Sequence, residues 1–485
     1  MVTGPGRSSD VGGCGATDRL PPAAEVAERI LAASRAAHCV AVVEEQSQVE
    51  LRFANNTSTT NGWRRQRRVT AVSMVAVPGG MAVGAESRSG NPDIESLVRA
   101  SEANAQGAPP ADDAFDLVEP ADAGAAASGG EDGFEEPAPV TEFSVLEQVL
   151  NGLAHAFERA REQKHVLAGF ASHEIETAYL ATSAGLRARH EQPTGSLELV
   201  ARSADGSSSA WAGRGTETFG DVDLQTMHAE LERRLAWAER RLELPAGRYE
   251  TILPPDATAD LMIFLYGDFS GRDAEDGRSV FSAQGGGTRL GHSIADAAFQ
   301  LRSDPAEPGL ECVPFVVTTS SGSDVSVFDN GLPIGPTSWI DAGRLERLFY
   351  HRAGARRAQA PVAPPVDNLV LELPGASGSL DDLVASTRRG LLLTCLWYIR
   401  TVDPSTALLT GLTRDGVYLV ENGEVVGAVN NFRFNESPVE LLCRVAEAGA
   451  TRRAYARESG EWMSRTVMPP LRVADFNMSS VSPAT

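Results

Sequence analysis

Apolar residues recur along this chain with two spacings, and the spacing changes repeatedly. Val26, Ile30 and Leu31 sit among charges between Ala23 and Ala37, as on an amphipathic helix. Val40 to Phe53 alternates, which predicts a strand pair broken near Gln46 to Gln48. Arg68 to Ser87 reads as a hairpin turning at Pro78-Gly79-Gly80, and Pro92 to Ala103 as a helix. Ser144 and Glu147 have capping-box spacing, in which the two side chains satisfy orphan N–H groups at a helix start. Val145, Leu146, Val149, Leu150, Leu153 and Phe157 then form one apolar face. Ala171 to Ser203 predicts a β-meander with breaks at Ser183-Ala184-Gly185 and Pro193-Thr194-Gly195. Leu224, Met227, Leu231, Leu235, Ala238 and Leu242 place a long helix over Asp221 to Leu242, with Glu230 and Arg234 as a surface i,i+4 pair.

Beyond Pro245-Ala246-Gly247, strand patterns dominate. They fall at Glu250 to Leu253, Phe315 to Thr319, Val325 to Phe328, Leu369 to Leu373, Leu391 to Ile399, Val417 to Val420 and Glu424 to Val429. Helices are expected at Leu261 to Gly267 and Val439 to Ala448. Arg414-Asp415-Gly416 and Glu421-Asn422-Gly423 are hairpin signals, because Asp-Gly and Asn-Gly accept positive φ. Strand runs with segregated helices predict an α+β fold, not a doubly wound parallel sheet. The expected division is a disordered tail over 1–22, an N-terminal α+β domain over 23–220, a linking helix over 221–244 and a strand-rich C-terminal domain over 245–485.

With 42% hydrophobic residues, a chain of 485 can bury a large core. Its net charge of −22 argues against nucleic acid or an anionic membrane as the main partner. Much of that charge is local: Ala100 to Glu158 holds thirteen Asp or Glu and no Lys or Arg. Within it, the Pro/Ala/Gly-rich stretch 107–139 reads as a mobile loop. The five cysteines (Cys14, Cys39, Cys312, Cys395, Cys443) are widely spaced and form no CxxC, which predicts free thiols in a reducing compartment. Residues 1–22 lack the apolar region of a secretory signal, and the run Leu391 to Ile399 is too short to span a bilayer. The expected location is the cytoplasm.

Candidate chemistry is sparse. His173-Glu174-Ile175-Glu176-Thr177 approaches a zinc-binding helix, but a zincin needs a second histidine one turn on, and the segment alternates like a strand. It is read as a strand with an exposed or hydrogen-bonded histidine. Asp268, Asp273, Glu275 and Asp276 lack EF-hand spacing and read as a solvated turn. Gly285-Gly286-Gly287-Thr288-Arg289 fits neither a P-loop nor a dinucleotide fingerprint. It is either a flexible loop or bare backbone that a peptide or partner approaches closely. Cys395, inside an apolar run, reads as a buried core thiol.

Four stretches carry a resemblance. They are RGLLLTCLWYIRTVDPSTALLTGLTRDGVYLVENGEVVGAVNNFRFNESP at 389–438, HEIETAYLATSAGLRARHEQPTGSLELVARS at 173–203, GRSVFSAQGGGTRLG at 277–291 and PPLRVADFNMSSVS at 469–482. In their order along the chain they resemble the TldD/TldE (PmbA) family, subunits of a bacterial metalloprotease complex. The resemblance implies a TldD-type catalytic subunit with a His-Glu-x-x-x-His helix and a late cysteine ligand. The stretch matching that helix, 259–281, contains no histidine, and no cysteine follows Cys443. The chain therefore looks like the TldE/PmbA type: no catalytic or metal residue carries over, and zinc is expected in a TldD-like partner subunit. The implied substrate is an unfolded protein or peptide.

Two other readings stand beside this one. One is a hydrolase active by itself through an unrecognised site, with Asp268, Asp273, Asp276 and His292 gathered near the glycine loop. The other is a stand-alone regulatory binding protein using the acidic stretch.

Overall fold

The computed structural model describes residues 20–124 and 133–482. The tail through residue 19, Cys14 and residues 125–132 of the acidic stretch lie outside the described residues. The first part of the chain runs α1 (Ala23–Ala33), β1 (His38–Ala54), β2 (Thr57–Val77), β3 (Gly80–Ser89), α2 (Ile94–Gln106), α3 (Glu147–Glu162), β4 (His165–Thr182), β5 (Arg187–Ser203), β6 (Ser209–Thr216) and α4 (Leu224–Trp237). Its strands form one antiparallel six-stranded sheet in the order β3-β2-β1-β4-β5-β6.

β1 is one strand of 17 residues, not the expected pair. Gln46 and Gln48 do not break it, because their amides bond across the sheet to Gln66 and to Ser172. The turn lies instead at Asn55-Asn56, both in the left-handed region that asparagine tolerates. β5 likewise runs straight through Pro193. β6 reaches only to Gly195, so no β5 neighbour needs the N–H that proline lacks. The capping box at Ser144 does not form: a 3-10 turn over Phe143–Leu146 precedes α3, which has no side-chain cap.

The two faces of this sheet differ. Odd-numbered β1 residues pack under helices: Cys39, Ala41 and Val43 beneath α1 and α2, and Val49, Leu51 and Phe53 beneath α3 and α4. On the even face, Val40 and Val42 are covered by an irregular arm holding Phe315, Val327 and Phe328. That arm corrects two expected strands. Phe315 to Thr319 has only a single bridge, from Phe315 to Pro333, and Val327–Asp329 is a 3-10 turn. Their apolar residues reflect burial against the sheet. Asn330 holds the arm's shape by accepting from Thr318 N–H at 2.8 Å and donating to Thr318 and Val327 carbonyls at 2.9 Å. Further along the even face, Glu44, Gln46, Gln48 and Glu50 form a half-buried polar stripe.

The remainder contains β7 (Arg241–Leu242), β8 (Gly247–Leu253), α5 (Pro255–Gly267), α6 (Gly271–Glu275), β9 (Gln300–Ser303), β10 (Thr337–Asp341), β11 (Arg344–Leu345), α7 (Arg352–Ala358), β12 (Leu369–Glu372) and α8 (Leu380–Ser386). It continues through β13 (Arg389–Leu393), β14 (Leu396–Asp403), β15 (Leu408–Thr413), β16 (Val417–Glu421), β17 (Glu424–Val429) and β18 (Phe432–Glu436). Last come α9 (Pro438–Cys443), β19 (Val445–Ala448), β20 (Arg452–Ala454), β21 (Thr466–Met468) and β22 (Leu471–Val481). A ten-stranded sheet and a second six-stranded sheet (β11-β10-β9-β12-β21-β20) enclose one core. The expected α+β class holds, with strands mostly antiparallel and helices packed on them.

Several local expectations change. The apolar run at 391–399 is two strands: β13 lies between β8 and β16, and β14 lies at the sheet's edge. Thr394 makes the break, with both its N–H and its hydroxyl donating to Gly416 O. Asp415-Gly416 therefore links two non-neighbouring strands and closes no hairpin, whereas Asn422-Gly423 does close β16 on β17. The predicted helix over Asp221 to Leu242 stops at Trp237, and Arg241–Leu242 pairs with β17. Arg234 does pair with Glu230, but it is buried and also donates to Trp211 O, so this is not a surface pair. The helix expected to Ala448 ends at Cys443, and Val445–Ala448 pairs with β22.

Candidate functional site

The two halves meet where the polar even face of the first sheet approaches residues 454–466. The element that positions this segment is α5. Its sequence is almost wholly apolar, and most of its residues are buried. Two acids interrupt it, and both are committed to backbone. Asp260, 0% exposed, accepts from the N–H groups of Arg457 at 3.0 Å, Glu458 at 2.9 Å and Ser459 at 3.2 Å. Asp256, one turn earlier, accepts from Tyr455 N–H at 2.9 Å. Burial pushes the Asp260 carboxyl up to about 8, against the pull of its three donors.

The segment held in this way reaches across to the sheet. The Arg457 guanidinium donates to Glu198 of β5 at 2.5 Å and lies between the rings of Trp211 and Trp397, 5.2 Å and 4.5 Å from their centroids. Tyr455 lies against Gly213 and Gly215, where an added Cβ would come within 2.6 Å and 3.3 Å of its ring. Glu458 accepts from Tyr398 N–H at 3.1 Å and pairs with Arg400 at 3.0 Å. Arg465 donates to Pro193 O at 2.8 Å and Thr194 Oγ1 at 2.6 Å.

Deeper along the same junction lie His190, Glu176, Asp367 and Cys312. Burial lowers the His190 pKa and raises those of Glu176 and Asp367. The Asp367 residue is open to solvent yet sits deep in the cleft, so desolvation still dominates, with Arg465 opposing it. Burial and then Asp367 push the Cys312 thiol up to about 12, which makes it inert as a nucleophile. Cys395 is buried too, as expected, and burial raises its pKa. All four described cysteines are free.

The other sequence candidates fall outside this junction. His173 is buried in β4, its ring bonded to Thr141 Oγ1 at 2.7 Å and Glu217 O at 2.8 Å. Asp273 and Asp276 pair with Arg278 at 2.6 Å and 3.0 Å, and Glu275 accepts from Tyr350 at 2.9 Å. Burial, then the Asp273 charge, lift Asp268 to about 7. The His292 side chain is exposed, and this residue bonds through its backbone to Arg289 and Leu345. Gly285, Gly286 and Gly287 all have positive φ and form the exposed tip of a small hairpin closed by the Ser282–Thr288 bridge. No heavy atom lies within 4 Å of where their Cβ atoms would be, so this backbone is bare within the chain. Arg289 anchors the hairpin base on Val280 O at 3.2 Å.

Family models describe two parts of the chain. The PmbA/TldA metallopeptidase central domain matches residues 138–239, and the C-terminal domain of the same family matches 246–480. The chain belongs to the TldD/PmbA family. No curated protein matches it in sequence. Among solved structures it is similar to TldE from Thermococcus kodakarensis, with TM-score 0.73 and 15% identity over 93% of this chain and 98% of that one. A proposed modulator of a DNA gyrase from Thermotoga maritima gives TM-score 0.71 and 17% identity over 93% and 99%. A similar protein from Bacteroides thetaiotaomicron gives 0.71 and 16% over 95% and 98%. At such identities these structures support the fold alone.

Metallopeptidase membership implies a metal, and the residues at the junction do not fit one. α5 carries no histidine, and its two carboxylates are occupied by backbone N–H groups. Among the described residues, no three His, Cys, Asp or Glu side chains are grouped to hold an ion. Among them also, no helix is long and apolar enough to cross a membrane.

Proposed function

We propose that this chain is the zinc-free partner subunit of a two-component TldD/TldE-type peptidase, completing a chamber in which unfolded peptides or peptide precursors are cut. The observation that carries the reading is α5. The helix that the family resemblance aligns with zinc binding here uses Asp256 and Asp260 to brace residues 455–459. A strut of this kind supplies architecture to an assembly whose metal sits in the other subunit. The likeness to a TldE structure supports the same reading. Reducing cytosol is the compartment proposed for it, in keeping with the four described cysteines, all free.

The test is metal analysis and peptide cleavage on the chain alone and co-expressed with a TldD-like subunit. Stoichiometric zinc and cleavage are expected only in the co-expressed sample. Zinc and cleavage in the chain alone would overturn the proposal.

In this assembly the hairpin, with its bare tip at Gly285, Gly286 and Gly287 and its base at Thr288 and Arg289, is assigned to peptide or partner contact. Alanine at Gly287, where φ is +80°, is expected to cost about 1 kcal/mol of stability. It should also weaken capture of the partner or a peptide in a binding titration. Unchanged capture would remove the hairpin from the interface.

A further inference from the structure

One concavity with a strong charge character lies at neither the junction nor the glycine hairpin. It is an open-mouthed cavity of about 530 Å³ between α4, β6, the start of α5 and β20. Five arginines line it (Arg214, Arg233, Arg234, Arg452 and Arg453) against three carboxylates, Glu230, Asp256 and Asp381. In a chain of net charge −22, such a concentration of guanidinium groups is the reverse of the background.

The carboxylates do not use up this charge. Glu230 is shared by Arg214 and Arg234. Asp256 already serves Tyr455 N–H, and Arg214 stands 4.0 Å from it. Asp381 meets Arg233 at 3.2 Å, but both side chains are about half exposed or more, so water and ions compete for that pair. Arg453 follows Arg452 on the same strand, and its guanidinium reaches Asp221 at 3.6 Å, outside the cavity lining, so it is not counted among the free charges. The Arg452 side chain makes no hydrogen bond or ion pair among the described residues. Pro254 and Pro255 bring the start of α5, a 13-residue helix without a side-chain cap, to the same wall. Its dipole adds to the positive field.

We infer that this cavity binds a small oxyanion, a phosphate or carboxylate group, through Arg452 and Arg233. Guanidinium forks match the paired oxygens of both groups, and the partly enclosed site raises the worth of each charge-assisted bond. The bond from Tyr455 N–H to Asp256 enters this inference only as an observed contact and the glycine hairpin does not enter it, so it stands apart from the proposed assembly.

The experiment is calorimetric titration of the full chain with inorganic phosphate, and separately with a short peptide bearing a free C-terminal carboxylate and with its C-terminal amide. Chloride at matched ionic strength is the control. Saturable binding of phosphate or of the free-acid peptide is expected, with the amide form inert. Arg452→Glu and, separately, Arg233→Glu should each weaken it about tenfold or more. Among the described residues Arg233 meets only the exposed Asp381 and the half-buried Trp237 ring, so both variants should stay folded, which their unfolding profiles check. Phosphate binding without carboxylate binding assigns a phosphorylated small molecule as ligand, and the reverse assigns a peptide terminus. Binding of neither anion beyond chloride, or binding that both variants leave unchanged, overturns the inference.

Discussion

Asp260→Ala is expected to destabilise the fold by about 3–4 kcal/mol, because it strips the acceptor from three N–H groups at once. The loss should be local first. Amide exchange at Arg457, Glu458 and Ser459 should accelerate before the rest of the chain responds, and chemical denaturation should then show the lower midpoint. Asp260→Asn should fall between the two, since its carboxamide keeps one acceptor and turns an N–H₂ toward a donor. Wild-type exchange rates at those three amides in Asp260→Ala would sink the strut reading of α5.

The same carboxyl sets a pH dependence. Its folded pKa, lifted by burial to about 8, lies above its ordinary value of 3.8. The folded state therefore binds the proton more tightly, so its contribution to stability is full below about pH 4 and declines as pH rises toward 8. Asp268, lifted by burial to about 7, titrates in the same direction. Stability measured from pH 4 to 8 should thus fall for the wild type and fall less for Asp260→Asn, the difference isolating Asp260. Parallel curves would show that Asp260 is already ionised across this range.

The second large effect lies in the first sheet. Arg67 of β2 and Glu45 of β1 are register partners, each 6% exposed, and they form an ion pair. Arg67 also donates to Pro21 O at 2.8 Å, tying the segment before α1 to the sheet. Arg67→Ala is expected to cost about 3 kcal/mol, because Glu45 is left buried with only Arg65, at 2.8 Å and largely solvated, as its counter-charge. Replacing the pair together, Glu45→Leu with Arg67→Met, should recover most of that loss in thermal unfolding. A double variant as unstable as Arg67→Ala would mean the sheet depends on the charges themselves.

How far the sequence reveals this molecule depends on what each pattern reports. Periodicity located α1, α3, α4 and most strands, because their apolar stripes face one neighbour throughout. It failed at Phe315 and at Val327-Phe328, where apolarity marks contact with a distant sheet and no strand forms. It failed again at Gln46 to Gln48, since a glutamine within a polar sheet face bonds sideways and breaks nothing. Asp415-Gly416 has the chemistry of a hairpin turn, but pairing partners are chosen by the whole sheet, and β15 and β16 are not neighbours. The junction was the least legible part. One signal was available: an aspartate alone within ADLMIFLYG has to be buried with partners or neutralised. Its partners lie about 200 positions later, at a separation no local pattern reports.

The arm across the first sheet bears on how the chain is made. Val40, Val42, Val72 and Leu180 are all synthesised before Phe315, Val327 and Phe328, which cover them. During translation that apolar face has Leu117, Val118 and Ala123 to pack on it, but waits about a hundred residues after β6 has emerged for the arm. A truncated N-terminal half would leave it partly uncovered for good. The sheet is thus assembled early and sealed late, and the interval between is when a chaperone or a neighbouring nascent chain would find it.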